Sequence, residues 1–364
     1  MESKQLINRV DIKPLTSLRF FAAAGVLYGH FGYAYNTAGL GVSFFFMLSG
    51  FILTHSYYAK FQTFNFGSIK SLWLSRAARI YPLHLVTLLM SIPLITKEGG
   101  DISIGPLLEN AALLQSWYPN KVQAFSFNSV SWTLSNELFF YLTLPLALIC
   151  LGKVKMQSRI TMSILLTLAC VILTALIMHL FRPIPYSEPY SWRWWLILVS
   201  PYVNFLTFLS GIFLSFVYRR VDKSELKLSS RNGTIIELVT IGLFFSYFLA
   251  TFRHVMFSSI FFMYGLPLAI VILVFSLQKG LVSELLSSKP IVYLGEISFS
   301  IYMVHQIVIR VIEDYFGNVV GPVNSMSGAL KQLGVSILIV LLSSIMYHAI
   351  EKPARSAIKR VKFA

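Results

Sequence analysis

Two ionisable residues lie in an apolar stretch near the start of the chain. Arg19 and His30 are eleven residues apart within residues 17–32, SLRFFAAAGVLYGHFG. On an α-helix eleven residues make about three turns, so both side chains point the same way, ~16 Å apart. Ionisable groups in a membrane span are costly and usually face the protein interior or a polar cavity. The pair therefore indicates a polar passage, in which a histidine could accept a proton as a general base.

A carboxylate lies in a second apolar stretch, SWTLSNELFFYLTLPL at residues 131–146. Glu137 has Thr133 and Tyr141 four residues to either side, on one face of a predicted helix. Two interpretations fit this position. The carboxylate could lie at the membrane interface near a helix N-terminus, where the helix dipole favours negative charge. It could instead be a buried acid that orients or charges a catalytic histidine.

A pair of arginines precedes a third apolar stretch, in WLSRAARIYPLHLV at residues 73–86. Arg76 and Arg79 are three residues apart and so are neighbours on one helix face. Arginines at a cytoplasmic helix end help to orient a membrane protein. The planar guanidinium groups could also bind the phosphates of a substrate.

A polar stripe marks a further apolar helix, in GEISFSIYMVHQ at residues 295–306. Ser298, Tyr302 and His305 are spaced four and three residues apart, which places them on one face. The favoured interpretation of His305 is a packing histidine that bonds a neighbouring helix.

The elements that carry these residues are predicted to be membrane spans. Of the 364 residues, 56% are hydrophobic and 12% are charged, whereas soluble domains average about 25% charge. The sequence predicts an all-α, polytopic membrane helical bundle with about ten transmembrane helices. A weaker amphipathic segment at 104–117 is predicted to lie at the interface or to fold back into the bundle. The spans are predicted near 14–33, 40–59, 79–96, 131–151, 159–180, 196–217, 234–252, 256–277, 291–312 and 330–350.

The basic residues predict the orientation of this bundle. The predicted termini and even-numbered loops hold 22 of the 30 Lys and Arg residues, and the odd-numbered loops hold 7. Both termini are therefore predicted to face the cytoplasm. The formal net charge of +15 is then mostly a topology signal, and nucleic acid is not a predicted partner.

Other features of the sequence are less specific. Gly25 and Gly29 form a pair of small residues typical of close helix packing. Cys150 and Cys170 both fall in apolar segments, which gives no disulfide framework. No metal site and no cleavable signal peptide are predicted. The chain is predicted to form a single integral-membrane domain over residues 1–364.

Together these residues describe a bundle with a hydrated interior that is basic at its cytoplasmic end. Such an interior suits an enzyme that works at membrane depth, or a transporter of a small solute or glycan precursor. Proton-coupled transporters often have two related halves with broken helices. The two halves of this chain show no convincing similarity, which favours an enzyme.

The motifs also resemble the membrane acyltransferase-3 family, the integral-membrane O-acyltransferases of bacterial surface glycans. The resemblance covers all ten predicted spans. It rests on the Arg19–His30 pair, FFFMLSGF at 44–51, the R-x-x-R of Arg76 and Arg79 with the following IYP, SWTLSNE at 131–137, GEISFSIYMVH at 295–305 and EKPAR at 351–355. Many members carry an additional extracytoplasmic hydrolase-like domain, and the sequence is expected to lack it.

The resemblance implies transfer of an acyl group, most often acetyl, from cytoplasmic acyl-CoA to a sugar hydroxyl. It implies that His30 is the general base and that Arg19 is its essential partner, on the thioester oxyanion or on the pyrophosphate. Glu137 would orient the imidazole, and Arg76 with Arg79 would bind the CoA phosphates. Acetyl-CoA is then a donor substrate, and no cofactor is expected to be permanently bound.

The resemblance leaves the acyl carrier and the acceptor open. The acyl group could move directly, or through a covalent intermediate on His30, Ser49 or Ser131. The expected acceptor is an O-antigen or exopolysaccharide sugar, with a lipid-linked glycan or a secreted small molecule as alternatives. The expected location is the bacterial cytoplasmic membrane, with membrane lipid as a partner and oligomerisation compatible with the sequence.

Overall fold

A computed structural model of the chain describes residues 12–32, 35–100, 102–181, 192–223, 228–252, 264–317, 319, 321 and 325–361. These residues form helices joined by turns, with no strand among them. The helices are α1 Lys13–His30, α2 Tyr35–Tyr57, α3 Phe66–Lys97, α4 Ile104–Ala111, α5 Lys121–Ala124, α6 Trp132–Lys153, α7 Ile160–Leu180, α8 Trp192–Trp194, α9 Pro201–Lys223, α10 Ser230–Phe252, α11 Gly265–Ser276, α12 Leu281–Leu286, α13 Lys289–Glu296, α14 Ser298–Phe316, α15 Met326–Met346 and α16 Lys352–Val361.

Several of these helices are long and apolar enough to cross a membrane. Seven meet that test within the described residues, and an eighth span results if α13 and α14, which meet at an angle of 56°, are counted as one. The fold is therefore the predicted all-α polytopic bundle. The seven are Thr37–Phe61, Phe66–Lys97, Ser129–Lys153, Ile160–Leu180, Trp192–Val221, Ser230–Thr251 and Met326–Ala357.

The two other predicted spans also fall on helices, α1 and α11. The helix α1 has only 18 residues and includes Arg19, and it is not among the seven. The helix α11 is an apolar helix of 12 residues. The predicted span 256–277 begins within 253–263, which lies outside the described residues. The predicted number of ten spans therefore stays a prediction.

The centre of the bundle is formed by α2 and α9. In their apolar segments 78% and 72% of the residues are buried, against 22%, 17% and 22% in α7, α10 and α15. The crossing of α2 and α9 depends on Gly50 and Gly211. A Cβ atom on Gly50 would collide with the carbonyl oxygen of Phe208, and one on Gly211 with that of Met47. The two backbones are therefore in direct contact.

The predicted small-residue pair on α1 is also at a helix contact. A Cβ atom on Gly29 would lie 2.9 Å from Cβ of Ala38 on α2, whereas one on Gly25 would lie 3.6 Å from the carbonyl oxygen of Thr37. Close approach at Gly29 lets α1 pack tightly on α2. The next residue along α1 is His30, so this contact helps to fix its position.

The amphipathic segment at 104–117 divides into two parts. The helix α4 leaves Ile104 and Leu108 largely exposed, at 75% and 62%. Ser116 is fully buried, and its backbone N–H donates to Oγ of Ser135 on α6 at 3.3 Å. The first part thus has the exposed apolar face of an interfacial helix, and the second part folds back into the bundle.

One end of the bundle carries ion pairs between α3 and α14. Arg310 forms a bidentate pair with Glu98, with N–O distances of 2.8 and 2.9 Å. Lys97 lies 3.3 Å from a carboxylate oxygen of Asp314. The orientation predicted from the basic residues puts this end outside the cell.

We expect that orientation to be measurable with two introduced cysteines. In a variant with Cys150 and Cys170 replaced by Ala, Asn120→Cys should react with an impermeant thiol reagent in intact spheroplasts. Lys155→Cys should react only after the membrane is permeabilised. Both positions are exposed, so accessibility reports the side of the membrane. Labelling at 155 with protection at 120 would contradict the predicted orientation.

Candidate active site

A cavity of about 530 Å³ lies between α1, α2, α3 and α6. We call it the arginine cavity, because Arg19, Arg76 and Arg79 line it together with Glu137. The arginines come from the first half of α1 and the first half of α3, and the glutamate from the second turn of α6. The structure therefore brings together four of the five predicted site residues.

Glu137 is held by two hydroxyl groups in this cavity. The Tyr141 hydroxyl donates to Oε2 at 2.7 Å, and Ser49 Oγ donates to Oε1 at 3.4 Å. The guanidinium carbon of Arg76 lies 5.9 Å from the centroid of the Tyr141 ring. Glu137 thus lies inside the bundle as an acid with defined partners, and its partners belong to the arginine cavity.

Arg19 lines the arginine cavity and a second, narrow cavity of about 40 Å³. Its Nε donates to Oγ of Ser298 on α14 at 3.3 Å, and its guanidinium carbon lies 5.8 Å from the centroid of the Phe45 ring. The narrow cavity continues from Arg19 and Glu137 to Tyr302. Arg19 therefore lies at the junction between the two spaces.

His30 lines a third cavity, of about 110 Å³, which we call the histidine cavity. Tyr302 and Val42 line both this cavity and the narrow one, and Arg19 and Glu137 line both the narrow one and the arginine cavity, so the three cavities are neighbours in a row. We call the series the passage. The remaining walls of the histidine cavity include three aromatic side chains, those of Phe125, Trp132 and Trp194.

The polar stripe on α14 follows the passage: Tyr302 lines two of its cavities, and Ser298 and His305 bond residues that line it. Ser298 binds Arg19, as described above. The hydroxyl of Tyr302 accepts from Thr133 Oγ1 at 2.9 Å and donates to the carbonyl of Val130 at 3.2 Å. One turn further, His305 contacts His30. The bend between α13 and α14 directs this stripe towards α1 and α6.

The two histidines form a pair with an assignable proton arrangement. Nδ1 of His305 lies 2.7 Å from the carbonyl oxygen of Tyr302, and Nδ1 of His30 lies 2.8 Å from that of Val26. A carbonyl oxygen only accepts, so in both neutral rings Nδ1 carries the proton. Nε2 of His305 then faces the Nδ1–H of His30 at 3.3 Å as an acceptor. Nε2 of His30 is left as its unprotonated nitrogen.

The structure thus modifies two interpretations of the sequence. His305 is 1% exposed and bonded to its own helix, as a packing histidine would be, but it also contacts His30, which its spacing could not predict. Glu137 is not among the hydrogen-bond partners of His30 within the described residues. No contact with His30 therefore supports the predicted orienting role of Glu137. The side chain that contacts His30 is that of His305.

The two serines proposed as acyl carriers have different surroundings. Ser49 lines the arginine cavity beside Glu137. Ser131 is fully buried, accepts from Nε2 of Gln115 at 3.2 Å and donates to Oδ1 of Asn110 at 3.5 Å. Within the part of the chain that the structure describes, no three His, Cys, Asp or Glu side chains group as metal ligands would.

Fold and site together define a polytopic helical membrane protein with a polar passage, basic at one end and with a histidine at the other. The acyltransferase-3 family model, described as an acyltransferase domain, matches residues 13–348. The chain therefore belongs to this family, and it is an enzyme that transfers acyl groups. Of the two classes that the sequence left open, enzyme and transporter, the family membership supports the enzyme.

Similar proteins carry names that agree with this family. The chain is 29% identical to acyltransferase MdmB of Streptomyces mycarofaciens, over 96% of this chain and 93% of MdmB. It is 23% identical to a protein of Staphylococcus aureus (strain COL) named as an O-acetyltransferase, and 23% identical to YrhL of Bacillus subtilis (strain 168), named as a peptidoglycan O-acetyltransferase. These matches cover 94% and 95% of this chain, but only 57% and 55% of the two relatives. No solved structure is similar enough to count as a match.

Proposed function

We propose that the chain transfers an acetyl group from cytoplasmic acetyl-CoA to a hydroxyl of a glycan at the outer face of the bacterial cytoplasmic membrane. The observation that carries the proposal is the passage, a row of three neighbouring cavities with arginines at one end, a histidine at the other and the smallest cavity between them. A donor with a phosphate-rich end and a long, thin acyl-bearing arm matches that shape.

Arg76 and Arg79 would bind the phosphates of the donor. They line the largest of the three cavities, of about 530 Å³, and charge-assisted hydrogen bonds to phosphate are strong. Arg19, at the entrance of the narrow section, would add its positive charge to the binding of the donor's pyrophosphate. It lies about 16 Å along α1 from His30, so the thioester would be further along the passage, near His30.

His30 would act as the general base through Nε2. The acceptor hydroxyl gives its proton to Nε2, its oxygen forms a bond to the acyl carbon, the C–S bond breaks, and CoA leaves as a thiolate. The Nδ1–H of the resulting imidazolium donates to Val26 and His305, which stabilise its charge. His305 would therefore be a positioning residue, because its Nε2 is a second acceptor, beside the Val26 carbonyl, for the Nδ1–H of His30 and so supports the form in which Nε2 is free.

The acceptor would enter at the histidine cavity. Aromatic rings such as those of Phe125, Trp132 and Trp194 provide flat surfaces for the apolar face of a sugar ring. The name of the Bacillus relative supports a cell-wall glycan, and O-antigen, exopolysaccharide and lipid-linked sugars belong to the same chemical class. We propose one membrane domain over residues 1–364, with both termini in the cytoplasm.

The role of His305 can be tested with two substitutions. His305→Phe fills the space but accepts no hydrogen bond, whereas the side-chain oxygen of His305→Gln can accept from Nδ1 of His30. We expect the kcat of the Phe variant to fall at least about tenfold, with an unchanged KM for acetyl-CoA. When a catalytic histidine is held in the wrong form, kcat can fall by up to about 10⁴. The Gln variant should recover most of that loss. If both variants keep the kcat of the wild type at equal melting temperature, His305 only packs.

The proposed reaction can be tested in cells. Deletion of the gene should remove ester-linked acetyl groups from one glycan fraction of the envelope, as measured by mass spectrometry after mild base release. Expression of the wild-type chain should restore them, and expression of the His30→Ala variant should not. Unchanged ester content in every envelope fraction after deletion would contradict a glycan acceptor.

A further inference from the structure

The motif EKPAR at 351–355 has no part in the reaction described so far, although it lies beside the arginine cavity. The last span ends in a π-helical turn, Tyr347–Glu351, and the chain continues directly into α16. Both the turn and α16 pack against α3, the helix that carries Arg76 and Arg79. Glu351, the last residue of the turn, and Arg355, in the first turn of α16, therefore lie on segments that pack against the helix carrying Arg76 and Arg79.

Glu351 and Arg355 are a buried acid and its arginine partner. Glu351 is 1% exposed, and its Oε2 accepts from Oγ of Ser300 on α14 at 2.9 Å. The guanidinium of Arg355 donates to the other oxygen of Glu351. A buried carboxylate needs such partners. The pair holds the guanidinium of Arg355 in one place at the edge of the cluster.

Four arginines and two glutamates interact electrostatically at this end of the passage. Arg355 lies close enough to Arg76 and Arg79 to be repelled by their charges, and Arg19 is repelled by both Arg79 and Arg355. Glu137 and Glu351 supply the opposite charge. Four positive groups against two negative ones leave a net positive charge around the partly exposed side chains of Arg76, Arg79 and Arg355, which a polyanionic ligand would compensate.

Unused hydrogen-bond donors support this interpretation. Within the described residues, the buried Nε atoms of Arg76 and Arg355 have no hydrogen-bond partner. A buried donor without a partner costs free energy unless a ligand or water satisfies it. Two arginines of the same cluster therefore have hydrogen-bonding capacity that their protein contacts do not use.

We propose that Arg355 is a third phosphate-binding residue of the donor site, and that it contacts the phosphates at the nucleotide end of acyl-CoA. The proposal rests on the proposed donor. Arg355 suits the role because a planar guanidinium presents two edges, so that one can pair with Glu351 while the other binds phosphate. Glu351 would then be a positioning residue. The C-terminal helix would thus close the donor site from the cytoplasmic side.

The proposal predicts a loss of affinity that depends on the phosphates of the ligand. We would titrate CoA, 3′-dephospho-CoA and pantetheine into purified wild-type and Arg355→Gln protein by isothermal calorimetry, which needs no acceptor. We expect Arg355→Gln to bind CoA about ten- to a hundredfold more weakly and to bind pantetheine as the wild type does. If the 3′-phosphate is the contact, the difference disappears with 3′-dephospho-CoA; if the pyrophosphate is, the difference remains.

Two further variants separate binding from folding. Lys352→Gln removes an exposed charge from the same helix and should leave CoA affinity unchanged. Arg355→Lys keeps the charge but loses the two-edged geometry, and its affinity should fall between those of wild type and Arg355→Gln. A lower melting temperature with wild-type CoA affinity in Arg355→Gln would overturn the proposal, because Arg355 would then only neutralise Glu351.

Two other outcomes would also overturn it. If Arg355→Gln changes only the dependence of activity on phosphatidylglycerol in nanodiscs, the arginine binds a lipid headgroup instead of the donor. If wild-type protein binds neither CoA nor 3′-dephospho-CoA, the proposed donor itself is wrong, and the role of Arg355 fails with it. Equal CoA affinity in wild type and Arg355→Gln would contradict only the role proposed for Arg355, and CoA would remain the proposed donor.

Discussion

The His30→Ala variant is expected to lose acyl transfer by about 10² to 10⁴ in rate, the usual contribution of general-base catalysis. Its affinity for acetyl-CoA should stay near that of the wild type, because the donor phosphates bind at the other end of the passage. Its melting temperature should change little, since His30 is only partly buried and lines a cavity. Turnover, donor affinity and melting temperature are measured on the same purified protein.

A second histidine provides the matched control for this variant. His84 is fully buried on α3, and its Nε2 contacts the carbonyl oxygen of Asn110 at 2.8 Å. His84→Ala should therefore lower the melting temperature, while the folded fraction keeps its activity. If His30→Ala behaves in this way and retains more than a few per cent of wild-type turnover, His30 is a packing residue and not the base.

Replacement of Arg76 and Arg79 together by Gln is expected to raise the KM for acetyl-CoA at least about a hundredfold. Each charge-assisted hydrogen bond to phosphate is worth ~1.5–3 kcal/mol, and 1.4 kcal/mol corresponds to a factor of ten. The kcat at saturating donor should change much less, because these arginines lie away from the reacting atoms. Initial rates at varied acetyl-CoA concentration measure both constants.

The control for the arginines must separate binding from membrane orientation. Lys153 and Lys155 are exposed basic residues in a loop that is also predicted to be cytoplasmic. Their replacement by Gln removes the same number of positive charges and should leave the KM unchanged. If the Arg76/Arg79 variant inserts incorrectly while the correctly inserted fraction has a wild-type KM, these two arginines only determine topology.

Much of the fold could be predicted from hydropathy, because a span must be long and apolar whatever it packs against. Within the described residues, nine of the ten predicted spans and the described part of the span 256–277 fall on helices. The bend between α13 and α14 was not predicted, and neither was the division of residues 104–117 into an exposed helix and a buried return. Both depend on contacts with other helices, and a hydropathy pattern carries no information about such contacts.

The site could be predicted in part. The Arg19–His30 spacing and the polar stripe on α14 predicted shared helix faces, because helical periodicity determines which side chains share a face, and Arg19, His30 and Tyr302 all line the row of cavities. Periodicity does not say which helices are neighbours. The contact between His305 and His30, and that between the C-terminal helix and α3, join residues distant in sequence. For Glu137 the sequence left an interfacial and a buried position open, and the structure gives it Ser49 and Tyr141 as partners.

The most direct test of acyl transfer through the passage follows the acetyl group itself. Wild-type and His30→Ala protein in proteoliposomes would receive radiolabelled acetyl-CoA on the arginine-cavity side, with envelope glycan as acceptor on the other. We predict that label appears in the glycan as base-labile ester, with an equal amount of free CoA, in the wild type only. Label that crosses the membrane without release of CoA, or equal esterification by His30→Ala, would contradict this function.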